Sequence, residues 1–208
     1  MIRSSHGAGI ILCGIRAGGA CSPASPRLQS TARPLWRTLM TATLAALFLL
    51  AAPAIEADVV YGRKDGMALT MDVIKPEKPN GAGILWIPTG GWYSPWFDSK
   101  HGAAASKPLL DKGFTVFVVR HSCAPTYPIP ACAADLTRAV RFIRSRAKAF
   151  GVDPERLGAW GGSAGGHLSL LLGTTGDDGD PKQKDEVLKQ PSRIAAVVAL
   201  YPPTDISE

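Results

Sequence analysis

Residues 156–172 read RLGAWGGSAGGHLSLLL, an apolar run, a glycine-rich turn and a second apolar run. Up to Trp160 the residues suit a short strand, and from Ala164 they suit a helix. Between them, Gly161-Gly162-Ser163-Ala164-Gly165 places a glycine two residues to either side of a serine. That spacing lets a strand and the helix after it approach closely, while the serine hydroxyl is thrust off the sheet edge. The N–H groups of the following helix, Ala164 first, then face any negative charge developing there. The spacing fits neither G-x-G-x-x-G nor G-x-x-x-x-G-K-[ST], so a nucleotide-phosphate turn is a poor fit. Ser163 is therefore the candidate nucleophile.

Outward from this turn the chain alternates strands and helices. Toward the N-terminus, residues 58–61 and 68–74 form a predicted antiparallel hairpin about Asp65-Gly66. Residues 83–88 and 114–119 are short apolar runs suited to strands buried on both faces, with a small-residue helix at 102–112 between them. A proline-rich loop at 124–130 leads to a helix whose Leu136, Ala139, Val140, Ile143 and Ala147 share one face. Arg138, Arg141 and Arg144 point away from that face and read as solvated. Beyond the nucleophile turn come a polar surface excursion at 173–192 and a last buried strand at 194–200, which Tyr201-Pro202-Pro203-Thr204-Asp205 breaks. Strands alternating with helices predict an α/β fold, a mostly parallel sheet covered on both faces.

A second glycine-rich loop, Thr89-Gly90-Gly91-Trp92, follows the strand at 83–88. Acyl transfer needs converging N–H donors, and bare backbone at a strand end can supply them. Gly91 and Trp92 are the expected donors, with Gly90 providing the bend. The aromatic group Trp92, Tyr93, Trp96 and Phe97 either walls an acyl or aryl pocket or closes a lid over the core.

Charge and composition narrow the class further. The net charge of +6 is concentrated in residues 1–57, where Arg3, Arg16, Arg27, Arg33 and Arg37 face only Glu56. The remainder holds 18 of the 23 basic and 16 of the 17 acidic residues, too balanced for a nucleic-acid footprint. Arg33 and Arg37 precede an uncharged run at 39–52, then small residues, with Ala52-Pro53-Ala54 as the best cleavage site and Ala57 as a second. This pattern predicts a signal peptide, hence export to the periplasm or beyond, with no stable membrane span after cleavage. The domain proper is expected at 58–208. Cys123 and Cys132 flank the proline-rich loop; export permits a disulfide between them, whereas a reducing compartment would leave two thiols. Nothing in the cysteine or histidine spacing suggests a metal.

Taken together, Gly-Gly-Trp at 90–92, Asp135, Val152-Asp153-Pro154-Glu155-Arg156-Leu157 and Gly162-Ser163-Ala164-Gly165-Gly166-His167 resemble the esterase/lipase branch of the α/β-hydrolases. That branch includes hormone-sensitive-lipase-like enzymes, acetyl-xylan and feruloyl esterases, and arylformamidases. The resemblance implies Ser163 as nucleophile and an oxyanion hole built from Gly90, Gly91, Trp92 and Ala164. It implies hydrolysis of carboxylic esters, small or on plant polysaccharide, with no metal or cofactor. An arylformamidase-like amidase and a non-catalytic hydrolase-fold binding module are the alternatives. Two departures stand out. Thr89 occupies the place where the family has a histidine that anchors the loop. The family's order of nucleophile, acid and histidine would also put the last two beyond Glu208, so the chain is expected to be the first two-thirds of such a domain. Asp205 has some likeness to a triad acid, although the branch places its acid one strand later. His167, one helical turn past Ser163, is expected beside the strands as a packing histidine and not as the base. His121 either lines the pocket or packs, and His101 is expected at the surface.

Overall fold

The computed structural model describes residues 53–206. The expected signal segment lies outside the described residues apart from its last few positions. Strand β1 (Ala54–Lys64) begins four residues upstream of Asp58, where the sequence pattern places the first strand. It pairs antiparallel with β2 (Met67–Lys75) through the two-residue turn Asp65-Gly66. Both turn residues have positive φ, 48° and 82°, the geometry whose twist suits a tight hairpin.

The sheet continues through β3 (Gly83–Trp86), β4 (Thr115–Val119), β5 (Leu157–Gly162) and β6 (Ala196–Leu200). Its spatial order is β1-β2-β4-β3-β5-β6. The β2–β4 pair is antiparallel, while β4–β3, β3–β5 and β5–β6 are parallel. All five residues of β4 are buried, because both faces of the sheet are covered there. Phe117 and Val119 join the core under α3 (Ile129–Ser145), with Leu136, Ala139, Val140 and Ile143. Val116 and Val118 face the other way, toward Ala103 of α1 (Ser99–Ala105) and Leu109 and Leu110 of α2 (Lys107–Leu110). The expected single helix at 102–112 is thus two short ones that meet at Ser106. After α3, the short α4 (Ala147–Phe150) ends at Gly151 in the left-handed conformation, and α5 (Ala164–Thr174) follows β5.

Two expectations need correction. The arginines of α3 are not a solvated face. Arg138 pairs with Asp185 at 2.8 Å and donates to the Tyr61 carbonyl, and Arg141 pairs with Asp177 at 2.6 Å. Arg144 is buried and reaches Glu155 and the Arg193 carbonyl. The three therefore clasp the loop between α5 and β6 onto the helix. Strand β6, expected to be buried, exposes Val198 and Leu200 (56% and 43%). Among the described residues it is the edge of the sheet, and only β5 pairs with it.

Candidate active site

Strands β3 and β5 are neighbours, so the loops leaving their C-terminal ends emerge side by side. From β5 the chain turns at once through Ser163, whose φ of 51° and ψ of −124° are strained for an L-residue. Such a conformation costs about 1–3 kcal/mol and persists only where its surroundings enforce it. Here the Ser163 N–H donates to the Leu200 carbonyl at 2.9 Å, and its own carbonyl accepts from His167 N–H at 3.0 Å. Gly161 and Gly165 permit the turn. A Cβ at Gly161 would come within 2.6 Å of the Gly165 carbonyl carbon, and one at Gly165 would run into the Ile87 carbonyl oxygen. Strand β5, helix α5 and the end of β3 thus meet backbone to backbone.

The loop after β3 closes as a tight turn. Gly90 N–H donates to the Tyr93 carbonyl, and Tyr93 N–H returns a bond to Gly90 at 3.0 Å. The central residues Gly91 and Trp92 have φ of 55° and 58°. Thr89, where the related family carries histidine, is buried and donates its hydroxyl to the Tyr93 carbonyl at 2.7 Å. Of the four residues expected to form the hole, Gly90 has its N–H committed within this turn. Gly91, Trp92 and Ala164 do not, and Ala164 opens α5 directly after Ser163. A loop with two central N–H groups left over, beside a helix N-terminus, can accept a developing oxyanion.

The two loops are joined by a contact between residues 75 positions apart. The Trp92 indole N–H donates to His167 Nδ1 at 3.2 Å, with the rings edge to face. This fixes what His167 can do. In a catalytic triad a carboxylate accepts from the imidazole and stabilises its charged form. Here an indole donates to Nδ1 and favours the neutral ring, and burial also lowers the His167 pKa. His167 is a packing histidine that binds Trp92, as expected of its place on the helix, with a specific partner that the sequence did not reveal.

The other two described histidines lie elsewhere. His121 is buried, contacts the Ser122 carbonyl through Nδ1 at 2.6 Å, and has its pKa lowered chiefly by burial. It lines a cavity of about 250 Å³ with Arg120 and Tyr127, and no residue of the Ser163 turn or the 89–93 loop lines it. His101 is exposed, with its ring edge-on to Phe97. No imidazole among the described residues is hydrogen-bonded to the Ser163 hydroxyl. Asp135 is buried, taking Lys64 at 2.8 Å, the Ser122 N–H and the Ser122 hydroxyl. The permitted disulfide is absent: Cys123 and Cys132 are both free. Cys132 donates its thiol to the Ser122 carbonyl, while Cys123 accepts from Ser94 N–H. Among the described residues no group of three or more His, Cys, Asp or Glu could hold a metal ion.

Sequence reading missed Tyr201. It follows β6 with a φ of 40°, is 78% exposed, and sets its hydroxyl 2.7 Å from where a Gly162 Cβ would stand. It flanks Ser163 on the side opposite the 89–93 loop. An aromatic followed by two prolines at a strand end was the available signal.

Residues 71–208 match the family model described as BD-FAE. Among curated relatives, the acetylxylan esterase of Xylanibacter ruminicola is 31% identical over 141 residues, covering 66% of this chain and 28% of its own. The ethyl acetate hydrolase of Pseudomonas putida is 29% identical over 124 residues, covering 58% and 39%. Among solved structures, the acetyl ester-xyloside bifunctional hydrolase of Caldicellulosiruptor lactoaceticus aligns with a TM-score of 0.59 at 28% identity, covering 70% of this chain and 57% of that one. The chain thus spans well under half the length of those curated relatives. The sheet order, the strained serine turn and a family match covering most of the described residues agree, and the chain belongs to the BD-FAE family of α/β-hydrolase-fold esterases.

Proposed function

We propose that this protein hydrolyses carboxylic esters through an acyl-enzyme at Ser163. The observation that carries the proposal is the strained Ser163 turn set beside a glycine loop with two uncommitted N–H groups. The Ser163 oxygen attacks the ester carbonyl as its proton passes to water, and the resulting oxyanion is held by the Gly91, Trp92 and Ala164 N–H groups. Collapse breaks the bond to the alkoxide, which takes a proton from water and leaves as the alcohol, with the acyl group on Ser163 until a second water hydrolyses it. No described imidazole stands at Ser163, so the described residues by themselves support only slow turnover. An oxyanion hole and binding without a base leave roughly 10³–10⁴-fold over water.

The substrate is an acyl group carried on plant polysaccharide. The names of the acetylxylan esterase and the acetyl ester-xyloside hydrolase support this, as do the exposed aromatics Tyr93, Trp96 and Tyr201 in the segments that follow β3 and β6. Export fits the same reading. Among the described residues no helix is long and apolar enough to cross a membrane. Of the two cleavage points, the one after Ala54 suits the fold. Cleavage after Ala54 removes only the pair Ala54 with Lys75, whereas cleavage after Ala57 would also remove Ile55 with Ile74 and Glu56 with Val73 from the hairpin. Terminal sequencing of exported protein checks the position.

The decisive experiment treats the 208-residue chain with a fluorophosphonate probe over a long incubation, because labelling without a base is slow, and maps the adduct. Labelling of Ser163 ahead of the other exposed serines, lost in Ser163→Ala, supports the proposal; a folded chain in which Ser163 reacts no faster than they do refutes it. Acetate release from acetylated xylan, compared with p-nitrophenyl acetate and a formanilide, then separates polysaccharide esterase from small-ester esterase and amidase.

A further inference from the structure

Trp92 holds a left-handed backbone conformation without being glycine. The hydrogen bonds of its own turn join Gly90 and Tyr93, on either side of it. Its carbonyl accepts from Ala124 N–H at 3.1 Å, which ties it to the loop after β4. Among the described residues, the hydrogen bond it makes to the helix that carries Ser163 is the indole–imidazole bond to His167, one helical turn past the nucleophile. His167 is buried, and its neighbours contribute no resolved charge effect. A buried imidazole lone pair facing an indole N–H is a directional contact that general packing would not require.

We propose that His167 is a positioning residue: through the Trp92 indole it holds the Gly91–Trp92 backbone in place, fixing where that loop stands relative to Ser163. The inference rests on the oxyanion-hole reading above for its catalytic meaning, but the mechanical coupling stands apart from it. Ser163 and His167 share one rigid turn of α5, so a bond from His167 to the loop keeps donor and nucleophile in register.

Three variants and their combination test this. His167→Leu removes the acceptor, Trp92→Phe keeps an aromatic ring but removes the N–H, and His167→Asn retains an acceptor near the place of Nδ1. Amide hydrogen exchange is followed at residues 89–93, and fluorophosphonate labelling at Ser163, in the 208-residue chain. His167→Leu and Trp92→Phe should each speed exchange in the loop and slow labelling by about fivefold to tenfold, as one net hydrogen bond dictates. The double variant should be no worse than either single one, since both remove the same bond. His167→Asn should stay within about threefold of the parent, which separates positioning from proton abstraction because an amide cannot serve as the base. Exchange unchanged within twofold, or effects that multiply in the double variant, would overturn the proposal. If His167→Leu does not fold, Trp92→Phe decides alone. Loop exchange that responds as stated in a chain that never labels at Ser163 upholds the positioning role and removes the esterase reading instead.

Discussion

Replacing Gly161 by alanine tests how closely the nucleophile turn is built. The added methyl would stand 2.6 Å from the Gly165 carbonyl carbon and 2.7 Å from its oxygen. Ordinary contact is roughly 3.5–4.0 Å, so α5 must retreat from β5 by about 1 Å. Backbone, not a flexible side chain, has to yield. Overpacking of this kind costs about 1–3 kcal/mol, while removing a glycine from a strand returns roughly 0.5–1 kcal/mol. The net expectation is a loss of about 1–2 kcal/mol, read as a lower urea midpoint at unchanged slope. Reactivity should suffer more than stability. A shift near 1 Å between nucleophile and oxyanion donors costs on the order of 10²-fold, seen as slower fluorophosphonate labelling of Ser163. For the urea midpoint Gly90→Ala is the control, since a Cβ there meets nothing within 4 Å. A Gly161→Ala protein within about 0.5 kcal/mol of the parent and labelled at the same rate would refute the close backbone approach.

Ser163→Gly should raise stability by about 1 kcal/mol as the strained φ is relieved, while abolishing labelling; a denaturation midpoint at or below that of Ser163→Ala would contradict the strain. Alkylation followed by mass spectrometry should find Cys123 and Cys132 both unpaired. Cys123 should react first, since Cys132 is buried and burial pushes its thiol pKa up. Acid should release the loop clasped by α3. Asp177 and Asp185 have folded pKa values below the ordinary 3.8, held down against some burial first by the Gly179 and Val187 backbone N–H groups and then by Arg141 and Arg138. A lowered folded value means the contribution is complete above pH 3.8 and is lost as pH falls through the lower folded values. Hydrogen exchange across residues 175–193 should rise in that acid window, before β3 and β4 open.

The hairpin was legible because Asp65-Gly66 names its own turn, and β4 because a five-residue apolar run has no use but a strand covered on both faces. The strained turn at Ser163 was legible from glycine spacing, a local requirement of its backbone. What escaped was nonlocal. The arginine periodicity of α3 marked a face, but nothing in the aperiodic loop at 173–192 announced that its acids would cover it. The apolar run of β6 reads alike at the edge or the centre of a sheet, since a strand's own residues do not name its neighbours. Trp92 and His167 each looked like packing, and their bond spans 75 positions of chain.

The strand order has a consequence of its own. From β3 the chain moves to β4 on one side, by way of α1 and α2 on one face. It then returns across β3 to β5 by way of α3 on the other face. The connections leaving β3 and β5 therefore part to opposite faces of the sheet and open a crevice between their ends. Ser163 and the 89–93 loop stand at the ends of those two strands. Their juxtaposition belongs to the topology and not to any side chain, so exchanging the residues that follow, at 93–97 or 201–205, leaves the serine turn where the crossing of the chain put it.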